Sequence, residues 1–177
     1  MRVLIVVAAL SIGSSGARAE TAPQGGWKLG LDFEQQVYVR QGLRLEKVDA
    51  EAGSSIGVTI GSQSPTTVDS DGKRHSRKVV DYGAYYIGGI SITPVLKSRL
   101  GVQAGYMAFH NGTSTSTTGA SYFDVVNGLA VSYGKVDFFT DLAMRFWLFG
   151  TDKDLVLGDR RLESAYVYPR LGFNVAI

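Results

Sequence analysis

The chain has 177 residues, with 18 Lys plus Arg against 16 Asp plus Glu and no cysteine. The lack of cysteine excludes disulfide frameworks, thiolate metal sites and acylation at a lipobox, and a net charge of +2 argues against a general polyanion-binding role. With 22 Gly, 8 Phe, 9 Tyr and only 4 Pro, the composition favours many tight strands over helices.

Met1-Arg2, the apolar run Val3 to Leu10 and the triplet Ala17-Arg18-Ala19 have the shape of an export signal with an A-x-A cleavage site. A mature chain beginning at Glu20 is expected, giving a signal peptide over 1–19 and a single domain over 20–177. The apolar run is too short to cross a bilayer, and no later stretch reaches the ~18 apolar residues that a membrane helix needs. Removing Arg2 and Arg18 leaves 16 basic against 16 acidic residues, so the basic balance belongs to the signal.

Trp27, Leu29, Leu31, Phe33, Val37, Val39, Leu43 and Leu45 share one phase of a two-residue period. A single strand over 27–48 would run about 70 Å, far beyond the ~9 to 11 tilted residues that cross a hydrocarbon layer. Two strands joined by a loop with an odd number of residues keep the phase. A short turn over Asp49 to Gly53 and a strand over Ile56 to Ile60 follow, and then a long polar connection from Gly61 to Lys78.

That connection holds two motifs. Asp69-Ser70-Asp71-Gly72 begins a calcium-loop pattern, but the Glu expected at position twelve is absent, so no metal site is expected. Lys73, Arg74, His75, Arg77 and Lys78 form a cationic run. Of these, Lys73, Arg74, Arg77 and Lys78 are candidates for contact with fixed phosphates such as those of lipopolysaccharide.

Val79 to Ile92 alternates again, with Val80, Tyr82, Ala84, Tyr86, Ile90 and Ile92 on one face and Asp81, Gly83 and Tyr85 on the other. A short link over 93–98 containing Thr93-Pro94 leads to a strand over Arg99 to His110. The polar run Asn111 to Gly119 leads to one over Ser121 to Tyr133. Tyr133 and Val136 both lie on the apolar phase although they differ by three, which requires a two-residue turn at Gly134-Lys135. Glycine in its first position favours type II′. Val136 to Leu148, a longer link over 150–159, and an alternating closing segment from Ala165 to Ile177 complete the chain.

Pairing across Gly134-Lys135 places Asp124 opposite Arg145, and Arg170 should lie close to Asp141. With Asp137 on the same inner phase, these five residues form the expected ion-pair network. Short and long connections alternate, as they do in an outer-membrane barrel with tight periplasmic turns and longer external loops. The fold expected is all-β: an antiparallel up-and-down transmembrane β-barrel of about eight strands, in the bacterial outer membrane.

The signal, the eight alternating segments and the terminal strand Arg170-Leu171-Gly172-Phe173-Asn174-Val175-Ala176-Ile177 together resemble the small outer-membrane barrels of the OmpA, OmpX and opacity-protein type. The resemblance is architectural and spans the mature chain. It implies a monomer surrounded by outer-membrane lipid and lipopolysaccharide, assembled by the barrel-insertion machinery, without a cofactor and without nucleic acid. In such a narrow barrel the inner charges are expected to fill the interior, the alternative being a thin polar conduit.

Two other classes fit the sequence. A lipid A acyl hydrolase would draw its base from His75 or His110, with Ser121 opposite His110 and Ser114 or Ser116 in the loop between. However, no His-x-Ser motif is present and no carboxylate accompanies His110 on the outer phase. A soluble periplasmic barrel holding an apolar ligand would invert the two faces, which periodicity alone permits.

Overall fold

Alternating apolar and polar residues become alternating outward and inward side chains along every long strand. The computed structural model describes residues 25–35, 39–64, 66–68, 74–76, 78–110, 117–150, 156–157, 160–161 and 165–177. The proposed signal peptide, Asp69 to Gly72, Lys73, Arg77, Ser114 and Ser116 lie outside them.

Eight strands make the barrel: β1 (Gly26–Gln35), β2 (Val39–Asp49), β3 (Ser54–Gln63), β6 (Lys78–Ser91), β7 (Leu96–His110), β8 (Thr117–Tyr133), β9 (Val136–Gly150) and β12 (Ala165–Ala176). Between them sit two small hairpins, β4 (Thr66–Val68) with β5 (Arg74–Ser76), and β10 (Val156–Leu157) with β11 (Arg160–Arg161). Each long strand pairs antiparallel with its neighbours, and β1 closes the cylinder on β12. Closure leaves no long edge exposed.

The split of the first apolar stretch is as expected: three residues, 36–38, separate β1 from β2, and an odd number preserves the phase. Tyr133 faces Val136 across the turn at Gly134, whose φ of +58° suits the first position of either mirror-image hairpin turn. Where the last two strands differ from expectation, the loop is longer. β9 ends at Gly150 and β12 begins at Ala165, because the connection folds back on itself as β10 and β11.

Register sets the barrel's shape. Gly26 leads across successive strands to Val48, Ser55, Ile87, Gly101, Val126, Ala143 and Tyr168. Tyr168 precedes Arg170, the partner of Glu34, by two residues, so the circuit misses its starting point at Gly26 by 10 residues. With eight strands, this stagger tilts them by about 40° from the axis and leaves an interior only wide enough for side chains.

The start of β1 and the end of β12 lie beside the short turns. The Ile177 N–H donates to the Trp27 carbonyl at 3.0 Å, and the Ala176 N–H donates to the Lys135 carbonyl at 2.9 Å. At the same end Asp49 Oδ1 accepts the N–H groups of Glu51 and Ala52, each at 3.0 Å, and Thr93 Oγ1 accepts that of Leu96 at 3.0 Å. Short polar side chains thus hold two of the three turns. The longer connections gather at the opposite end.

Candidate functional site

The usual distribution of residues is reversed. Among the described residues, Arg40, Arg44, Arg145 and Arg170 are among the largest fully buried side chains, whereas twenty-nine large hydrophobics are exposed, from Trp27 to Ile177. A water-soluble monomer does not present apolar residues on the outer phase of every wall strand. Buried ions are tolerated only when paired and hydrogen-bonded. Most of the buried ions here meet both conditions, whereas Arg44 Nη1 and Nη2 and Arg99 Nε have ion-pair partners but no hydrogen bond.

Toward the loop end, Arg145 grips Asp124 with two parallel bonds, from Nε to Oδ1 at 2.8 Å and from Nη2 to Oδ2 at 2.7 Å. The Tyr168 hydroxyl donates to Asp124 Oδ2 at 2.7 Å and accepts from Arg145 Nη2 at 2.9 Å. The guanidinium also lies 3.7 Å from the centre of the Tyr122 ring. Across the interior, Arg40 donates to Asp32 at 2.8 Å and to Thr59 at 3.0 Å, and it grips Asp81 through Nε and Nη2. Glu34 stands between the groups, within 3.3 Å of Arg40, 3.8 Å of Arg145 and 3.9 Å of Arg170.

Below this layer, Arg170 donates to Asp141 from Nη2 at 3.0 Å and to Gln103 Oε1 at 2.8 Å, and Gln103 in turn donates to the Tyr122 hydroxyl at 3.0 Å. Arg44 lies over Tyr85 at 4.1 Å, and the Tyr85 hydroxyl donates to Glu46 at 2.9 Å, as does Asn174. Arg99 rests on the Phe139 ring at 4.3 Å with Nε 3.2 Å from Asp141. At the turn end, Lys28 pairs with Asp137. At the loop end the interior is apolar instead: Val79, Met107, Phe109, Ala120 and Tyr122 cluster, with Trp147 packed against them.

Of the five network residues named from the sequence, Asp124 and Arg145 are cross-strand partners, as are Asp141 and Arg170. Asp137 stands apart from them, with Lys28. The sequence reading missed Arg99, although it shares the phase of Gln103, and missed the polar roles of Tyr85, Gln103 and Tyr168. Glu34 lies on the phase opposite the apolar residues of β1, but its reach to three arginines crosses the barrel. Pairing of adjacent strands carries no information about that distance.

The placement of Ser121 opposite His110 fails on register, while Ser114 and Ser116 lie outside the described residues. His110 is paired with Lys78 on one side and Thr117 on the other, and Ser121 faces Tyr106, because β8 begins four residues earlier than its apolar pattern suggested. Among the described residues no group of three His, Cys, Asp or Glu side chains is arranged for a metal ion. Of the cationic run, Arg74 belongs to the small β4–β5 hairpin and Lys78 begins β6, exposed opposite His110.

No family model and no curated protein matches this chain. Among solved structures, it is similar to Neisserial surface protein A, with a TM-score of 0.56 and 12% identity over 85% of this chain and 94% of that one. It is also similar to the N-terminal β-barrel domain of Pseudomonas aeruginosa OprF, with a TM-score of 0.51 and 12% identity over 87% of this chain and 100% of that one. At this identity the likeness is one of fold: the chain is a small closed barrel of eight antiparallel strands, as those two proteins are.

Proposed function

We propose that the chain is an integral outer-membrane barrel, exported by cleavage before Glu20, with a structural or surface-interaction role. The observation that carries this reading is the inverted distribution of residues, with paired ions inside and an apolar belt outside. Tyr82, Tyr106 and Phe123 lie toward the loop end of that belt, with Trp27 and Tyr133 toward the turn end. That is the placement of aromatics at the two interfaces of a bilayer. Short turns face the periplasm and longer connections face outward.

In this reading the interior is a filled support rather than a conduit, and the external loops carry the binding. Lys73, Arg74, Arg77 and Lys78 supply a cationic edge for lipopolysaccharide phosphates, and the barrel works as a monomer once the insertion machinery has placed it. An enzymatic role has no support from the neighbours of His110. Mass spectrometry of lipid A with and without the protein should give the same acylation pattern.

Cell fractionation tests the location. Detergent-dependent extraction from the outer membrane, with gel mobility that changes on heating, is the expected result. Release with the periplasmic fraction would reverse the assignment of inside and outside. Bilayer conductance tests the filled interior, which a steady pore wider than a few water molecules would contradict.

A further inference from the structure

The ions of the interior balance as a whole but not along the axis. Among the described residues, seven cations, Lys28, Arg40, Arg44, Lys97, Arg99, Arg145 and Arg170, share it with seven carboxylates, Asp32, Glu34, Glu46, Asp81, Asp124, Asp137 and Asp141. Toward the loop end, Arg40 and Arg145, with Arg170 reaching up from the layer below, meet four carboxylates, Asp32, Glu34, Asp81 and Asp124. Toward the turn end, Arg44 has Glu46 at 3.9 Å and Asp32 at 3.6 Å, while Lys28, Lys97 and Arg99 have only Asp137 and Asp141, and Asp141 is shared with Arg170. The turn end therefore carries one cation in excess.

The excess sits at an opening. A vestibule of about 190 Å³ at that end is lined by Lys28, Lys97, Arg99, Ser54, Ser132 and Asp137, among others. Asp137 is engaged by Lys28, and Asp49 at the rim is engaged by the N–H groups of its own turn. Arg99 lies flat on Phe139 and reaches one carboxylate, Asp141. Lys97 makes no ion pair among the described residues, though it is half-buried beside Lys28 and Asp137.

We propose that this vestibule binds one small oxyanion of phosphate size, held by Lys97 and Arg99 with Lys28 and the Ser54 hydroxyl around it. Convergent cations in a partly enclosed mouth focus the field on an anion, and charge-assisted hydrogen bonds offset its loss of water. The volume sets the size class, since drug-sized ligands occupy pockets from about 300 Å³ upward. Such an oxyanion can come from free phosphate or from the phosphate of a lipid headgroup in the periplasmic leaflet.

The test is titration calorimetry on the full barrel in a phosphate-free alkyl maltoside at fixed ionic strength, with inorganic phosphate and with a soluble short-chain phosphatidylglycerol. Saturable one-site binding of either is expected, and the better ligand identifies the source. Lys97→Gln should weaken it about tenfold, the size of one charge-assisted hydrogen bond. Lys47→Gln, on the outer phase near the same end, should bind as the parent does, and both variants should keep the heat-modifiable mobility of the folded barrel. The absence of saturable binding overturns the proposal. So does unchanged affinity in Lys97→Gln, or an equal loss in Lys47→Gln.

Discussion

Alternate residues of β9 live in opposite solvents. Asp141, Ala143 and Arg145 are buried against other side chains, while Leu142 and Met144, between them, are 57% and 42% exposed. The two faces reach stability by different means. The outer face needs only to be apolar, since lipid is an undemanding neighbour and any residue of that character fits. The inner face needs each charge matched in position, since a misplaced partner leaves an ion in a poorly solvated space. Substitutions on the inner face should therefore be specific and costly, and those on the outer face should depend on polarity and depth alone.

The largest effect is expected at the inner face. Arg145→Met leaves Asp124 and its Tyr168 contact without a cation and should lower the unfolding free energy by about 3–5 kcal/mol, read by urea titration in lipid vesicles. Adding Asp124→Leu to Arg145→Met should recover more than half of that loss, because the stranded carboxylate goes with it. An additive double variant would break the comparison. On the outer face, Leu142→Arg should cost about 2–4 kcal/mol in vesicles, from its place near the middle of the apolar belt.

Smaller effects sharpen the contrast. Gly134 sits at a φ of +58°, so Gly134→Ala should cost about 1–2 kcal/mol through backbone strain at the turn, with no change in the interior. Lys47→Gln, exposed near the turn end, should stay within about 0.5 kcal/mol of the parent by the same titration.

The two faces were not equally legible in the sequence. Where two strands meet through a tight turn, the phase of Tyr133 and Val136 fixed the pairing of Asp124 with Arg145 twenty-one residues apart. The split between β1 and β2 was legible from length alone, since one strand could not fit a membrane. The bulge between β8 and β9 was not: Tyr122 pairs with Trp147 but Ser121 pairs with Phe149, so Leu148 is an extra residue that no alternation announces. Nor was the start of β8, because the polar run before it obeys no period and can as well be strand as loop. That single misplacement put Ser121 opposite His110. The site itself was legible as pairs on neighbouring strands, Asp124 with Arg145 and Asp141 with Arg170, but not as contacts across the barrel. Glu34 reaches three arginines by crossing the barrel, and the stagger that brings them together is a property of the closed circuit, not of any one hairpin.

The assignment of inside and outside is tested most directly by cysteine scanning along β9, which is clean because the chain has no cysteine of its own. Single Cys replacements at positions 141 to 144, each carrying a spin label in lipid vesicles, would be compared for collision with oxygen and with a water-soluble nickel chelate. Positions 142 and 144 should collide strongly with oxygen and weakly with the chelate, while 141 and 143 should be shielded from both. Strong collision with the chelate at 142 and 144 would place that face in water and contradict the membrane barrel.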